Sequence, residues 1–277
     1  MRIWILAALA AAFAVQGMAL AQDAPLSDAR KLAPKRATDL PDPGRRIAAA
    51  MQSGDDVVKA MHAKYRNAWF ATTRFAQKTT TYDASGTPSV ESWYERIQLP
   101  GKLRIDVGPT KDGNATIFTD GQMHSFKNGV RTGTQPFVSM ALVLAFDVYR
   151  QAPEVTIAQL KQEGVDTTKV HEDLWEGRPA FAIGADRGDL TTKQVWIDKE
   201  RLVVVRMILP SLRAPGEPSD VRFLDFRAVP RGWIAARIDV YRKDRLVMSE
   251  EYSDIETDTS FDPAWFDPST LTTPTER

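Results

Sequence analysis

The sequence predicts a mainly β protein, built on a curved antiparallel sheet with helices across its concave face. Beyond the first quarter of the chain, apolar and polar residues alternate with a period of two, as in strands with one buried face. Pairs such as Asp120-Gly121 and Asn128-Gly129 separate these runs and favour two-residue hairpins. The segment 137–149 breaks the pattern because it is apolar on nearly every side, as in a buried helix.

The N terminus has the layout of a secretory signal peptide. A short basic start and an apolar run over residues 3–15 precede Ala19-Leu20-Ala21, a small-x-small cleavage site. The run is shorter than the roughly 18 to 20 residues that a membrane-spanning helix needs. We therefore expect cleavage near Ala21-Gln22 and a mature protein in the periplasm. The alternative is an uncleaved N-terminal anchor.

The composition excludes several classes of protein. The chain has 36 Lys and Arg against 36 Asp and Glu, and this balance gives no electrostatic basis for binding nucleic acid. It has no Cys, so an exported form would have neither disulfides nor a lipid-anchoring cysteine. The roughly 250 residues after the signal segment are enough for one large domain or two small ones. The strands follow one another without a long linker, which favours one domain.

The chain divides into four predicted stretches, of which 1–21 is the signal peptide. Residues 22–50 are rich in Pro and scattered charge and lack an apolar period, so we expect them to be flexible. Residues 51–268 are predicted to form the folded domain, and 269–277 a C-terminal tail. From the spacing of its turn signals we expect roughly ten or eleven strands in the domain.

Two amphipathic helices are predicted, one before the first strand and one that interrupts the strand pattern. The first begins at an N-cap near Ser53 and runs to Tyr65, with its apolar residues on one stripe. The second begins at Pro153, and Gly164 ends it.

The apolar segment 137–149 is predicted to be a third helix, and two roles are open for it. It is either an ordinary core helix or a movable lid that fills a cavity until a ligand displaces it. Met140 and Phe146 suit a lid because flexible and flat side chains repack easily.

Motifs for catalysis, metal binding and phosphate binding are absent from the sequence. The three histidines, His62, His124 and His171, lack the spacing of a zinc site. No nucleophile elbow, Walker loop or dinucleotide fingerprint follows a predicted strand. Adjacent acids such as Glu250 and Glu251 point to opposite faces of a strand and cannot share a site. We therefore predict a protein that is not an enzyme and uses no metal or cofactor.

Arginines are dense on the predicted strands. Arg104 is out of phase with Leu103 and Ile105, which favours an outward, solvated face. The alternative is that one or two of these arginines lie at a cavity rim and bind an anionic head group. The strand arginines are Arg96, Arg104, Arg206, Arg222, Arg227 and Arg237.

Short motifs along residues 55–268 occur in an order that resembles a known superfamily. They are Phe75-Ala76-Gln77-Lys78, Leu99-Pro100-Gly101-Lys102-Leu103-Arg104, Thr119-Asp120-Gly121-Gln122, Val195-Trp196-Ile197-Asp198, Val203-Val204-Val205-Arg206, Phe261-Asp262 and Phe266-Asp267-Pro268. With the signal segment and the helices, they resemble the periplasmic lipoprotein carriers LolA and LolB, with the N-terminal domain of RseB as a relative.

The resemblance implies an unclosed, strongly curved antiparallel half-barrel with an N-terminal helix and a helical lid over its concave face. It also implies an apolar cavity that takes acyl chains or hydrophobic protein segments, without catalysis. Two departures stand out. The anchoring cysteine of the receptor branch is absent. Where the carrier branch has an arginine that latches the lid, this chain has Leu99, with Arg96 three residues earlier.

These expectations define a candidate ligand site and two functions. We predict a monomeric carrier for a lipid or an acylated lipoprotein, served by an inner- or outer-membrane partner protein. The alternative is an envelope sensory module of RseB type that binds another envelope protein. The side chains that point to the concave face are inferred from alternation along each strand. A shift of one residue would therefore place the opposite set of side chains on that face. The predicted ligand-binding residues are Phe75, Trp93, Ile97, Leu103, Ile105, Val107, Val195, Ile197, Met207 and Phe223 on strands, with Met140, Leu144 and Phe146 on the lid.

Overall fold

The computed structural model describes residues 51–210 and 217–271. The predicted signal peptide and Pro-rich segment lie outside these residues, as does most of the predicted tail. The described strands are β1 Thr72–Tyr82, β2 Pro88–Gln98, β3 Lys102–Val107, β4 Ala115–Thr119, β5 Gln122–Lys127, β6 Val130–Pro136, β7 Val170–Trp175, β8 Arg178–Ile183, β9 Gln194–Asp198, β10 Val204–Pro210, β11 Pro218–Val229, β12 Gly232–Arg242 and β13 Arg245–Thr257.

All of these strands belong to one antiparallel sheet that does not close into a barrel. Its order is β6-β5-β4-β3-β2-β1-β13-β12-β11-β10-β9-β8-β7. Two meanders therefore join at the centre, where the first strand pairs with the last, with Gln77 opposite Tyr252. The predicted mainly β, unclosed half-barrel is confirmed. Its central strands come from opposite ends of the described chain.

The predicted number of strands, roughly ten or eleven, is too low for the sheet described here. The edge strand β7 was not predicted, because none of its residues is fully buried and it carries no apolar alternation. The opposite edge, β6, is exposed at every residue. The predicted hairpins at Asp120-Gly121 and Asn128-Gly129 are confirmed, and all four residues have φ between 50° and 75°, as a type I′ turn requires.

Three α-helices cover the concave face of the sheet: α1 Gly54–Tyr65, α2 Met140–Ala145 and α3 Pro153–Gln162. The cap predicted at Ser53 is present as a capping box with Asp56. The helix predicted over 137–149 is shorter than expected, because Ser139 caps α2 and the chain leaves the helix at Phe146 (φ −138°). A 3₁₀ turn, Asp147–Tyr149, follows the break.

The main hydrophobic core lies between these helices and the concave face. Val57 on α1, Leu144 on α2 and Leu160 on α3 have no exposed surface, and they belong to one apolar cluster with the inward side chains of the strands. The helices thus bury the apolar stripe that each sequence pattern predicted.

The solvated face expected for the strand arginines is wrong for two of them. Arg104 is only 3% exposed; its guanidinium donates to Asp106 and lies 4.6 Å from the ring centre of Trp265. Arg206 is 8% exposed and pairs with Asp220. The alternation predicted correctly that Arg104 points away from the core. A C-terminal 3₁₀ turn, Pro263–Phe266, covers the convex side of the sheet near it and excludes solvent.

Gly232 at the β11–β12 turn is expected to be intolerant of a side chain. Its φ is +153°, and a Cβ there would lie 2.5 Å from the Trp69 ring. We expect Gly232→Ala to lower the free energy of unfolding by about 2–3 kcal/mol through overpacking and backbone strain, measured by urea denaturation. Gly133→Ala on β6, where a Cβ would meet nothing within 4 Å, is the control. An equal loss in both variants would contradict this explanation.

Candidate functional site

The concave face brings the sequence-predicted ligand residues together. All thirteen belong to, or pack against, the one apolar core between sheet and helices. Val107 is partly buried, and the other twelve are buried. That they contact a ligand remains a prediction.

A small cavity lies within this core, next to the segment predicted as a lid. Its volume is about 20 Å³, which is room for about one water molecule. Of the predicted ligand residues, Phe146 and Phe223 line it, together with Ile238 and Tyr252 from the centre of the sheet. An acyl chain does not fit this space while the helices lie as they do, because protein side chains fill the concave face.

The segment 137–150, which we name the lid segment, is held by hydrogen bonds at both ends, and at its N-terminal end the Phe137 N–H donates to the Gly121 carbonyl at 2.9 Å. The six side chains of α2 are all apolar, and all but Ala145 are buried, so they hold the helix by packing alone. The C-terminal end is held by hydrogen bonds. Tyr149 Oη donates to the Leu202 carbonyl (3.1 Å), and Arg150 Nη1 donates to the Trp69 carbonyl (3.0 Å).

An aromatic cluster reinforces this anchored end. The rings of Trp69 and Tyr149 lie 3.8 Å apart between centres, and Tyr65 packs edge-on against both. Phe70 extends the cluster to Phe146, 6.2 Å away. The C-terminal end of the lid segment is thus held by both hydrogen bonds and aromatic packing.

A buried carboxyl links the lid segment to the turn between β2 and β3. Asp147 is 2% exposed, and the backbone N–H of Gly101 donates to its Oδ1 at 2.9 Å. Burial raises the pKa of Asp147 to about 7, although the Gly101 hydrogen bond opposes this shift. The contact lies two residues from Leu99. Arg96 pairs instead with Asp106 at 3.0 Å, on the side opposite the lid.

The structure also reveals a buried polar cluster that the sequence reasoning missed. Glu95 on β2, Gln77 on β1, and Glu250 and Tyr252 on β13 lie on the concave face, each at most 4% exposed. Tyr252 Oη donates to Glu250 Oε2 at 2.8 Å. Tyr252 also lines the cavity, so the cluster and the cavity share a wall.

Burial perturbs the titration of both carboxyl groups. Loss of hydration raises the pKa of Glu95 well above its usual value, and the nearby Glu250 raises it further. The pKa of Glu250 is raised to about 8, again mainly by burial. Glu250 is therefore largely protonated and neutral at pH 7.

A signal for this cluster was present in the sequence. Glu95 lies in phase with Trp93 and Ile97, and Glu250 lies in phase with Tyr252. An acid at the inward phase of an apolar strand predicts a buried carboxyl. The sequence reasoning weighed Glu250 only against its neighbour Glu251, which does point to the other face.

Two further findings concern the described part of the chain. No group of three or more His, Asp or Glu side chains there could hold a metal ion. None of the helices in residues 51–210 and 217–271 has the length and hydropathy to cross a membrane.

Comparison with known proteins supports the fold. No protein-family model matches the sequence, and no curated protein sequence gives a significant match. Among solved structures, a DUF1329 family protein from Desulfovibrio piger has a TM-score of 0.52 at 12% identity, covering 79% of this chain and 98% of that one.

Two other solved structures are similar. A putative outer membrane lipoprotein-sorting protein domain from Vibrio parahaemolyticus has a TM-score of 0.50 at 12% identity, covering 79% of this chain and 97% of that one. A LolA superfamily protein from Nitrosomonas europaea has a TM-score of 0.48 at 12% identity, covering 76% and 98%. Together with the unclosed antiparallel sheet and the helices on its concave face, the likenesses to the Desulfovibrio piger and Vibrio parahaemolyticus structures show that the protein has the LolA/LolB-like fold.

Proposed function

We propose that this protein is a periplasmic binding or carrier protein for a hydrophobic ligand, either a lipid or the acyl chains of a lipoprotein. The observation that carries the proposal is α2, a short helix with only apolar side chains, packed into the concave face beside a cavity. Such a helix can leave without breaking a side-chain hydrogen bond, and it exposes apolar surface when it does. The signal-like N terminus and the structural likeness to a putative outer membrane lipoprotein-sorting protein domain support the periplasmic setting.

The energetics are compatible with reversible binding. Burial of an acyl chain contributes about 0.8 kcal/mol for each CH₂, so twelve carbons provide roughly 9 kcal/mol before the cost of association. Because α2 covers the same apolar surface, the closed lid competes with the ligand. Competition of this kind lets the ligand leave without an energy source in the protein.

The alternative function is an envelope sensory module that binds another protein. It is favoured by the exposed edge strand β6, which has a neighbour on one side only. An unpaired edge can accept a strand from a partner. This alternative predicts a specific protein partner, whereas the carrier predicts a co-purifying lipid or lipopeptide.

Native mass spectrometry of the full chain, expressed with its own N terminus and isolated from the periplasm, tests the proposal. We expect a co-purified acyl species that is lost in Phe146→Asp, because a charge beside the cavity opposes entry of an alkyl chain. Val155→Asp on the exposed face of α3, where Val155 is 46% exposed, is the matched control and should keep the ligand. An unliganded mass after incubation with lipid extract would favour the sensory module.

A further inference from the structure

We propose that Glu95 and Glu250 form a binding site for the primary ammonium group of an amphiphilic ligand whose alkyl chain occupies the cavity on the concave face. This inference rests on the function proposed above and adds the chemical class of the ligand's head group. It is carried by the placement of the two carboxyl groups on one face of the sheet, by their unpartnered oxygen atoms, and by Tyr252, which lines the cavity and donates a hydrogen bond to Glu250.

The register of the central strands places these groups near one another. Phe75 on β1 lies opposite Glu95, and Thr79, two inward positions further along β1, lies opposite Glu250. Gln77 lies between them and is paired with Tyr252. The two carboxyl groups therefore flank β1 from either side, on the same face of the sheet.

The cluster is rich in acceptors that have no donor. Among the residues that the structure describes, neither oxygen of Glu95 has a hydrogen-bond partner, and the same holds for Glu250 Oε1 and Gln77 Oε1. Leaving a buried polar atom unpaired costs about 1–3 kcal/mol. A core that only needed packing would be more stable with apolar side chains at these positions.

An ammonium group matches what the cluster lacks. It carries three N–H donors and no acceptor, and it brings the positive charge that a buried carboxylate needs. No Lys or Arg belongs to the cluster as described. When the ammonium enters, one carboxyl group gives its proton to solvent and the resulting carboxylate pairs with the ligand. An anionic head group would find no cation among the described residues of the cluster and is disfavoured.

The position of Tyr252 connects this site to the alkyl chain. Its ring stacks on Phe75 with 4.3 Å between centres, its hydroxyl donates to Glu250, and its side chain lines the cavity. Tyr252 therefore lies between the cavity and the Glu250 carboxyl group. The ligand class is a long-chain primary amine or a lipid with an amino head group.

Isothermal titration of the full-length protein at pH 7 with dodecylamine and with dodecanol, each below its aggregation limit, tests the site. We expect dodecylamine to bind the native chain at least tenfold more tightly than dodecanol. The double variant Glu95→Gln/Glu250→Gln should lose this preference and keep its affinity for dodecanol. Glu251→Gln, on the exposed face of the same strand, is the matched control and should retain the preference.

The outcomes separate the two proposals. Equal binding of amine and alcohol by the native chain, or a preference that survives in the double variant, would overturn the ammonium site and leave the carrier standing. Failure of both probes to bind the native chain would overturn the carrier and the site with it. Titration in buffers of different ionisation enthalpy gives a second readout, with about one proton released by the amine and none by the alcohol.

Discussion

Asp106→Asn is expected to lower the free energy of unfolding by about 3–5 kcal/mol, because it leaves the buried charge of Arg104 without a counter-ion. The Asp106 carboxylate accepts three hydrogen bonds from Arg104 and one from Arg96, and it is 1% exposed as a side chain. Since Trp265 covers both guanidinium groups, water cannot replace the lost partner. Guanidinium chloride denaturation measures the change.

The matched control for this prediction is an ion pair on exposed strand positions. Arg74 and Glu256 are paired across β1 and β13 at 2.8 Å, and their side chains are about half exposed. Glu256→Gln should cost no more than about 1 kcal/mol, because solvent screens the pair. If Asp106→Asn lowers the free energy of unfolding no more than the control does, the cluster of Arg96, Arg104 and Asp106 does not stabilise the fold.

The stability of the protein is expected to fall as the pH rises from about 5 to about 8. The pKa of Glu250 rises from 4.5 in the unfolded chain to about 8 in the folded one, and that of Asp147 rises from 3.8 to about 7. The folded state therefore binds more protons between these values. The contribution of these two groups to stability is greatest at low pH and is lost as each buried acid is forced to ionise.

The variant Glu250→Gln isolates the larger of the two contributions to the pH dependence of stability. The variant should be close to the native chain in stability at pH 5 and more stable than it at pH 8, by an amount on the order of 4 kcal/mol, from a difference of about three and a half pKa units. Thermal unfolding at several pH values measures the difference, and Glu251→Gln should follow the native curve. Parallel curves for the native chain and Glu250→Gln would show that Glu250 does not titrate in this window.

Local features of the fold could be predicted from the sequence with good accuracy. The N-cap at Ser53, the helix beginning at Pro153 and the type I′ turn at Asn128-Gly129 depend on a few neighbouring residues. Capping, the fixed φ of proline and the tolerance of Asn-Gly for positive φ act over this short range. Their interpretation therefore needed no knowledge of the rest of the molecule.

The lid segment shows where local reasoning fell short. Its residues from 137 to 146 are apolar except Ser139, whose hydroxyl accepts a hydrogen bond that starts the helix late. Asp147 then turns inward to meet Gly101. The partner of Asp147 belongs to a turn far earlier in the chain. No pattern within the segment itself indicates that a charged residue there would be buried.

Alternation, turn residues and caps were therefore sufficient to predict a mainly β protein, the hairpins at Asp120-Gly121 and Asn128-Gly129, and the apolar face of strands such as β3. The burial of Arg104 beneath Trp265 and the placement of Glu95 and Glu250 on one face at the centre of the sheet depend on which strands are neighbours. Glu95 and Glu250 come together because β1 pairs with both β2 and β13, and the C-terminal turn lies over β3. Contacts between residues so distant in sequence follow from how the whole sheet and its helices pack. The residue pattern of a single strand does not predict them.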